Sequence, residues 1–343
     1  MTDIAVEIRG TMDNNSQNSP LRRWLISLLV WYILFMLIYL PGRFLIPNEW
    51  RFIGLLNNIA PYILFPTVIG LLIALLLRAR RLFGLYLLAT IIGALWIVPA
   101  LVSPISESSA TGGTILDVVT FNMYTQNTEL DTVNDWFSGY APDLIALQDA
   151  PDDLSALCAL GAYQVHTLRQ DEVNLALYTR YPVLEVDPLE LDELPVQRLV
   201  LDIAGQAVVV YNVHFAMPLN DQEADWIILR YDETVRNAQI ERLLAFIAVE
   251  TDPVIVLGDF NMTEWSPIYH QVARQLDDAF RQSAWGIGPT WPAGESEELS
   301  GLYPRLFRID YIWYSQPIQA TRAFVGAQLG SDHLPVHAEL QLP

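Results

Sequence analysis

The sequence predicts an α/β sandwich preceded by three transmembrane helices. Its apolar residues are concentrated at one end. From about Leu21 to Val102 the chain is dominated by Leu, Ile, Val, Phe and Trp, a density suited to a bilayer rather than to a globular core. From Ile115 onward, short β-rich runs alternate with amphipathic stretches, and one pair of runs reads as a hairpin. Hairpins mixed with crossovers point to a mixed sandwich instead of a purely parallel sheet.

Residues 1–20 are mostly polar, with Asn14, Asn15 and Asn18, and read as a disordered cytoplasmic tail. The membrane region is 21–102, with apolar segments near Trp24–Leu40, Ile59–Leu77 and Leu82–Val102, each long enough to span as a helix. Pro41 and Pro61, and the flanking Trp and Tyr residues, fit the segment boundaries. A buried helical hairpin of a soluble protein is the alternative. Arg22 and Arg23 precede the first segment, and Arg78, Arg80 and Arg81 separate the second from the third. Both groups face the cytoplasm if three spans are crossed from a cytoplasmic N-terminus, which puts the C-terminal domain outside the plasma membrane.

The Ser-, Gly- and Thr-rich stretch 103–114 reads as a linker to a domain over 115–343. Its expected strands are Ile115–Phe121, Leu144–Leu147, Leu175–Thr179, Val196–Ile203, Ala207–Val213, Val254–Leu257, Ile309–Trp313 and Val336–Leu340. Helices are expected over Ala150–Leu160, Gln222–Val249 and Pro267–Gln275. From Asp117 onward there are 34 acids and 11 Arg, 11 − 34 = −23, and all 19 basic residues of the chain are Arg. So acidic a domain lacks the basic footprint of duplex DNA binding. The single cysteine, Cys158, excludes an intramolecular disulfide and reads as a small buried residue.

Polar residues of interest close the strand-like runs. They are Asn122 after Val119-Thr120-Phe121, Gln148-Asp149 after Ile145-Ala146-Leu147, His214 after Tyr211-Asn212-Val213, Asp259 and Asn261 in Gly258-Asp259-Phe260-Asn261, and Asp310 before Tyr311. Gly330-Ser331-Asp332-His333 precedes the last strand. Strand ends gather on one rim, so these groups can converge. Carboxylates and a carboxamide suit a hard cation, and two histidines suit proton transfer. Each also has a structural reading: Asn122 as a turn former, Asp259 and Asn261 as caps of a helix near Pro267, Asp310 as a surface strand residue, His214 as a core histidine. His166, His270 and His337 fit no motif and read as structural.

In order and wording these six segments resemble the endonuclease/exonuclease/phosphatase superfamily over about Ile115–Pro343. Its members include secreted deoxyribonucleases, abasic-site endonucleases, neutral sphingomyelinases and inositol phosphatases. The resemblance implies a four-layer α/β sandwich, two packed β-sheets flanked by helices. It implies His333 as general base polarised by Asp310, Asp259 and Asn261 at the scissile phosphate, and His214 stabilising the transition state. Asn122, Asp149 and Asp332 are the implied ligands of Mg²⁺ or Mn²⁺. Asp149 departs from the family's usual glutamate by one methylene, and Asp152 or Asp153 are nearby carboxylates that would compensate. Asn174, Thr179-Arg180-Tyr181-Pro182, and Arg236 with Gln239 resemble softer family patterns, a solvated helix face being the alternative for the last pair. Thr290-Trp291-Pro292 resembles a loop whose aromatic, Trp291, contacts substrate. Trp226-Ile227-Ile228 reads either as a loop dipping toward lipid or as core.

Three N-terminal helices before such a domain resemble membrane-anchored phosphatases of the teicoplanin-resistance type, associated with undecaprenyl pyrophosphate. The resemblance therefore implies a phosphorylated lipid as substrate and the bilayer as partner. Two other readings remain: an extracytoplasmic nuclease, which the acidic domain disfavours, and a catalytically weak tethered binding domain, suggested by Asp149.

Overall fold

A computed structural model describes residues 19–46, 50–102, 112–170, 173–187, 194–219, 230–294 and 305–343. The expected tail, most of the linker and Trp226-Ile227-Ile228 lie outside these. The described chain forms two units, divided between Pro99 and Ala100.

The first unit holds helices α1 (Pro20–Leu45), α2 (Arg51–Asn58), α3 (Ala60–Leu76) and α4 (Arg80–Leu101). Ser19 caps α1 by accepting from the Arg22 amide at 3.2 Å, and Pro20 occupies the first turn, where no donor is lost. Pro41 lies inside α1 and does not end it, because a proline removes only one internal hydrogen bond. Leu29, Ile33, Met36, Leu64, Tyr86 and Ala89 pack together within the unit. Gly70 meets Tyr86 so closely that an added Cβ would lie 2.1 Å from the ring. Trp24, Trp31, Ile38 and Leu95 face outward, the inverse of a water-soluble surface. Two helices, Pro20–Arg43 and Arg80–Leu101, are long and apolar enough to cross a membrane. The expected third span is broken: α2 and α3 are bent by 69° at Ile59, and they count as a crossing only if the pair acts as one.

The second unit begins with β1 (Ile115–Asn122), α5 (Leu130–Tyr140), β2 (Leu144–Gln148), β3 (Gln164–Gln170), β4 (Val173–Thr179), β5 (Val183–Asp187), β6 (Val196–Ile203) and β7 (Gln206–His214). It continues with α6 (Thr234–Ile247), β8 (Val254–Asp259), α7 (Pro267–Val272), β9 (Asp277–Asp278), α8 (Ala279–Ser283), β10 (Asp310–Tyr314), β11 (Gln319–Val325) and β12 (Val336–Gln341). Two six-stranded mixed sheets result, in the orders β11-β12-β1-β2-β4-β3 and β5-β6-β7-β8-β10-β9. Each contains one parallel pair at its centre, β1 with β2 and β7 with β8, joined through α5 and α6. A parallel pair requires such a crossover, and the crossover places both strands' C-terminal ends on one rim.

The layers follow from the two-residue period of a strand. Leu116, Val118, Leu144, Ala146, Val208, Val210, Ile255 and Leu257 face the opposite sheet. The alternate residues Val119, Phe121 and Ile145 pack with Val133 and Phe137 of α5. Val209, Val254 and Val256 pack with Ile240, Leu243 and Leu244 of α6. Strands buried on both faces read as continuous apolar runs, which is why the eight expected strands are all present. The four strands that escaped prediction, β3, β5, β9 and β11, are polar, short or at sheet edges.

All three helix expectations differ from the structure. Over Ala150–Leu160 there are only 3-10 turns, at Leu154–Ala156 and Cys158–Leu160. Asp149 has φ +46°, the Ala150 amide bonds Asn174 O at 3.1 Å, and Asp153 caps a single turn through Ser155. Cys158 is consequently exposed, not buried. Of the expected helix Gln222–Val249, residues 222–229 lie outside the described residues; the described helix covers Thr234–Ile247, with Asp232 accepting from the Thr234 amide at 2.9 Å. The third runs only over Pro267–Val272.

Candidate active site

Each inward-facing row is apolar along the sheet interior and turns polar at the rim. On β1 the row is Leu116, Val118, Thr120, Asn122; on β2 it is Leu144, Ala146, Gln148; on β7, Val208, Val210, Asn212, His214; on β8, Ile255, Leu257, Asp259. β10 runs antiparallel to β8, so its first residue, Asp310, pairs directly with Asp259. Parallel pairing sets His214 opposite Asp259 as well. Side-chain period and strand direction alone therefore bring these residues to one place.

Asp259, almost wholly buried, is the hub. Its Oδ2 accepts from Asn122 Nδ2 at 3.1 Å and lies 3.6 Å from His214 Nε2 and 3.7 Å from His333 Nε2. Its Oδ1 accepts from the Asn261 amide at 2.8 Å. His333 Nδ1 is paired with Asp310 Oδ2 at 2.9 Å, and His214 Nδ1 lies 3.4 Å from Asp149 Oδ1. Two histidine–carboxylate pairs thus flank one aspartate. Ser331 Oγ donates to Asn122 O at 2.7 Å and accepts from the His333 amide at 3.0 Å, tying the last loop to β1. Thr290 Oγ1 accepts from the Ile309 and Asp310 amides.

The electrostatics follow from burial in a nest of carboxylates. Burial pushes Asp259 up, the charge of Asp310 pushes it further, and the two imidazoles only partly offset this, leaving it at about 6. Burial opposes charge on His333, but Asp310, Asp259 and Asp332 outweigh it and raise it to about 10. Burial likewise opposes charge on His214, and the bond to Asp149 with the charges of Asp259 and Asp149 leaves it above its ordinary value.

These residues suit a divalent cation. Asp259, Asp310 and His333 present donor atoms within 4.8 Å of one another. Asp310 Oδ1 is buried with no hydrogen-bond partner among the described residues. In that triad, however, His333 Nδ1 and Asp310 Oδ2 are bonded to each other, the arrangement of an acid–base pair. Asn122 ends β1 and Asp149 directly follows β2, both offering oxygen donors, with Asn122 pairing with Gln148 in the ladder. Asp332 Oδ2 accepts from Trp291 Nε1 at 3.2 Å, which places that indole beside the site. Asp152 pairs with Arg169 at 2.5 Å and Asp153 accepts from Ser155, so neither compensates for the short Asp149.

The softer matches separate. Asn174 sits at the site rim through Ala150, whereas Thr179 pairs with Leu144 at the opposite end of β2, which removes Thr179-Arg180-Tyr181-Pro182 from the site. Arg236 is fully buried and is no solvated helix face. His166 and His337 lie on β3 and β12, the latter paired with Asp117, and His270 is on α7. The amide lattice beneath the site was overlooked. Gln148 Nε2 donates to Asn212 Oδ1 at 2.7 Å across the two sheets, and Asn212 Nδ2 donates to Leu147 O at 3.1 Å. A polar residue at an inward position of an otherwise apolar strand was the available signal.

Fold and site define a hydrolase-type centre: a buried His–Asp pair, a second histidine and a hub aspartate on the rim of a four-layer sandwich. The Endonuclease/Exonuclease/phosphatase family model matches residues 119–333, and the chain belongs to that family, whose members hydrolyse phosphoester bonds. Among solved structures, an endonuclease/exonuclease/phosphatase from Bacteroides vulgatus is similar at 20% identity and TM-score 0.54, covering 67% of this chain and 100% of its own. TDP2 from Caenorhabditis elegans is similar at 18% identity and TM-score 0.52, covering 66% of this chain and 75% of its own. A functionally unknown conserved protein from Enterococcus faecalis is similar at 16% identity and TM-score 0.53, with 66% and 100% covered. These likenesses establish the fold. No curated protein matches the sequence.

Proposed function

We propose that this chain is a membrane-anchored, Mg²⁺- or Mn²⁺-dependent phosphoesterase acting on a lipid phosphodiester or pyrophosphate at the outer face of its bilayer. The observation that carries the reading is the buried His333–Asp310 pair at 2.9 Å facing Asp259, in a chain with two long apolar helices. His333 takes a proton from water as the water oxygen bonds to phosphorus, opposite the leaving oxygen. The phosphorus–oxygen bond breaks, and Asp259, whose buried carboxyl is pushed above the ordinary carboxylate range, supplies the proton to the departing oxygen. Asn261 and His214 bind the phosphoryl oxygens, and Trp291 contacts the remainder of the substrate. Asn122, Asp149 and Asp332 would hold the cation, which would neutralise phosphate charge and lower His333 toward a base usable at neutral pH.

The test uses the full chain in detergent with Mg²⁺ or Mn²⁺, offered bis-para-nitrophenyl phosphate, plasmid DNA and a polyprenyl pyrophosphate. Hydrolysis of the lipid is expected. Plasmid cleavage without lipid hydrolysis would make the chain a nuclease, and inactivity on all three, unchanged by Asp149→Glu, would make it a binding domain.

The outward placement rests on arginines. If only α1 and α4 crossed, Arg78, Arg80 and Arg81 would lie on the side opposite Arg22 and Arg23, against the positive-inside tendency. A bent α2–α3 pair acting as one crossing restores it. A C-terminal reporter active only outside the cytoplasm is expected to be active, and activity of a cytoplasm-only reporter would refute the orientation.

A further inference from the structure

Helix α6 reaches the active site through two side chains one turn apart. Arg236 and its partner Glu233 are both buried, with side-chain exposures of 0% and 5% and a separation of 2.9 Å. Desolvating such a pair offsets most of its attraction, so stability alone is a weak reason for it. What the guanidinium holds is specific. Nη1 donates to the main-chain oxygen of Asn261 at 2.7 Å, while Nη2 and Nε donate to Asn237 Oδ1 at 2.9 and 3.2 Å. Asn261 has φ +48°, a left-handed conformation that a non-glycine residue keeps only when its surroundings enforce it.

That conformation matters to the site. It directs the Asn261 amide at Asp259 Oδ1 and the Asn261 carboxamide Nδ2 at Phe215 O, 2.9 Å away. The second side chain of α6 grips the other loop. Gln239 Oε1 accepts from the Ala216 amide at 2.9 Å, two residues beyond His214. One helix therefore holds the loop after β8 by a carbonyl and the loop after β7 by an N–H, with Asn261 tying the two together.

We propose that Arg236 and Gln239 are positioning residues that set Asn261, Asp259 and His214 relative to one another. Arg236 acts through Asn261. The proposal rests on the phosphoesterase reading for its kinetic consequence but not for its structural one, and the test separates the two. The full chain in detergent is prepared as wild type, Arg236→Lys, Arg236→Met, Gln239→Leu, Asn261→Ala and the double variant Arg236→Met/Asn261→Ala. Turnover of bis-para-nitrophenyl phosphate with Mn²⁺ is measured beside amide hydrogen exchange.

Arg236→Met is expected to lower kcat by about 100-fold with little change in KM, the scale of a small misplacement of reacting groups. Arg236→Lys should recover part of the loss, and Gln239→Leu should lose less. The double variant should be little worse than the poorer single one, since both remove the same constraint. Exchange should quicken at 213–217 and 258–263 while β1, β2 and β12 stay protected. Independent, multiplying losses, an unchanged kcat, or unchanged exchange in those two loops would overturn the proposal. If Arg236→Met does not fold, Arg236→Lys and Gln239→Leu decide by the same measures. If the wild type turns over no phosphoester, the phosphoesterase reading fails, and the exchange comparison still decides whether α6 sets the loops.

Discussion

Asp310→Asn is the sharpest probe of the proposed chemistry, because it changes one buried charge at nearly constant shape. His333 is held at about 10 against an ordinary 6.5, and after the opposing effect of burial Asp310 is the largest contributor. Held that far up, the imidazolium is favoured by on the order of 5 kcal/mol, shared among Asp310, Asp259 and Asp332. The variant therefore loses a large part of that figure.

Two measurable consequences follow. A group raised on folding contributes stability that is fully present below its unfolded value and is lost as pH rises through its folded value. Metal-free wild-type protein should therefore lose this part of its stability between about 6.5 and about 10, and Asp310→Asn should lose much less over that window. In turnover, loss of the carboxylate that orients the ring should lower kcat by roughly 10³- to 10⁴-fold, with a modest effect on KM. Thermal unfolding in chelator across pH, together with steady-state kinetics, reads both. Identical alkaline unfolding profiles for wild type and variant, or a kcat within tenfold of wild type, would refute the assignment of His333 and Asp310 as the acid–base pair.

Three further substitutions probe the frame. Gly258→Ala places a Cβ 2.0 Å from Val213 O at φ +148°, so a loss of about 3 kcal/mol is expected by chemical denaturation, and wild-type stability would show that the strand gives way freely. Gln148→Leu strands the Asn212 amide between the sheets and should cost about 1–3 kcal/mol; a neutral result would remove the lattice from the account of sheet registration. Asp149→Glu restores the longer side chain and should lower the half-saturating Mn²⁺ concentration about tenfold, whereas equal Mn²⁺ dependence in Asp149→Glu and Asp149→Ala would exclude position 149 as a ligand.

Much of the domain was legible because its strands are central and buried on both faces. Val210 faces the opposite sheet while Ile145 and Val256 face a helix, so successive residues of such strands are all apolar and each strand reads as a continuous run. Edge strands lack this signature: Gln164–Gln170 carries His166, Thr167 and Arg169, and nothing in its composition distinguishes it from a loop. The expected helix over Ala150–Leu160 failed for a local reason. The chain leaves β2 through a left-handed Asp149 and is pinned at Ala150 to Asn174, which spends the first turn before a helix can nucleate. Site residues were legible as a polar row-end on an apolar strand, but what their neighbours Arg236 and Ser331 hold was not. Arg236 and Ser331 act through backbone atoms of Asn261 and Asn122, and a backbone contact leaves no trace in residue type.

The same geometry accounts for why four carboxylates are tolerated around two imidazoles. Asp259 is the last residue of a completely buried strand, so moving it out of Asp310's field would require breaking the β8–β10 ladder at the rung these two residues share. The protein answers the repulsion by titration and pairing rather than by movement: Asp259 rises, and His333 and His214 are both raised by the carboxylates beside them. That solution is incompatible with His333 serving as a base at neutral pH while the carboxylates are otherwise unneutralised. A divalent cation held by Asn122 and Asp149 would remove the conflict, because it would supply positive charge that the protonated His333 otherwise carries.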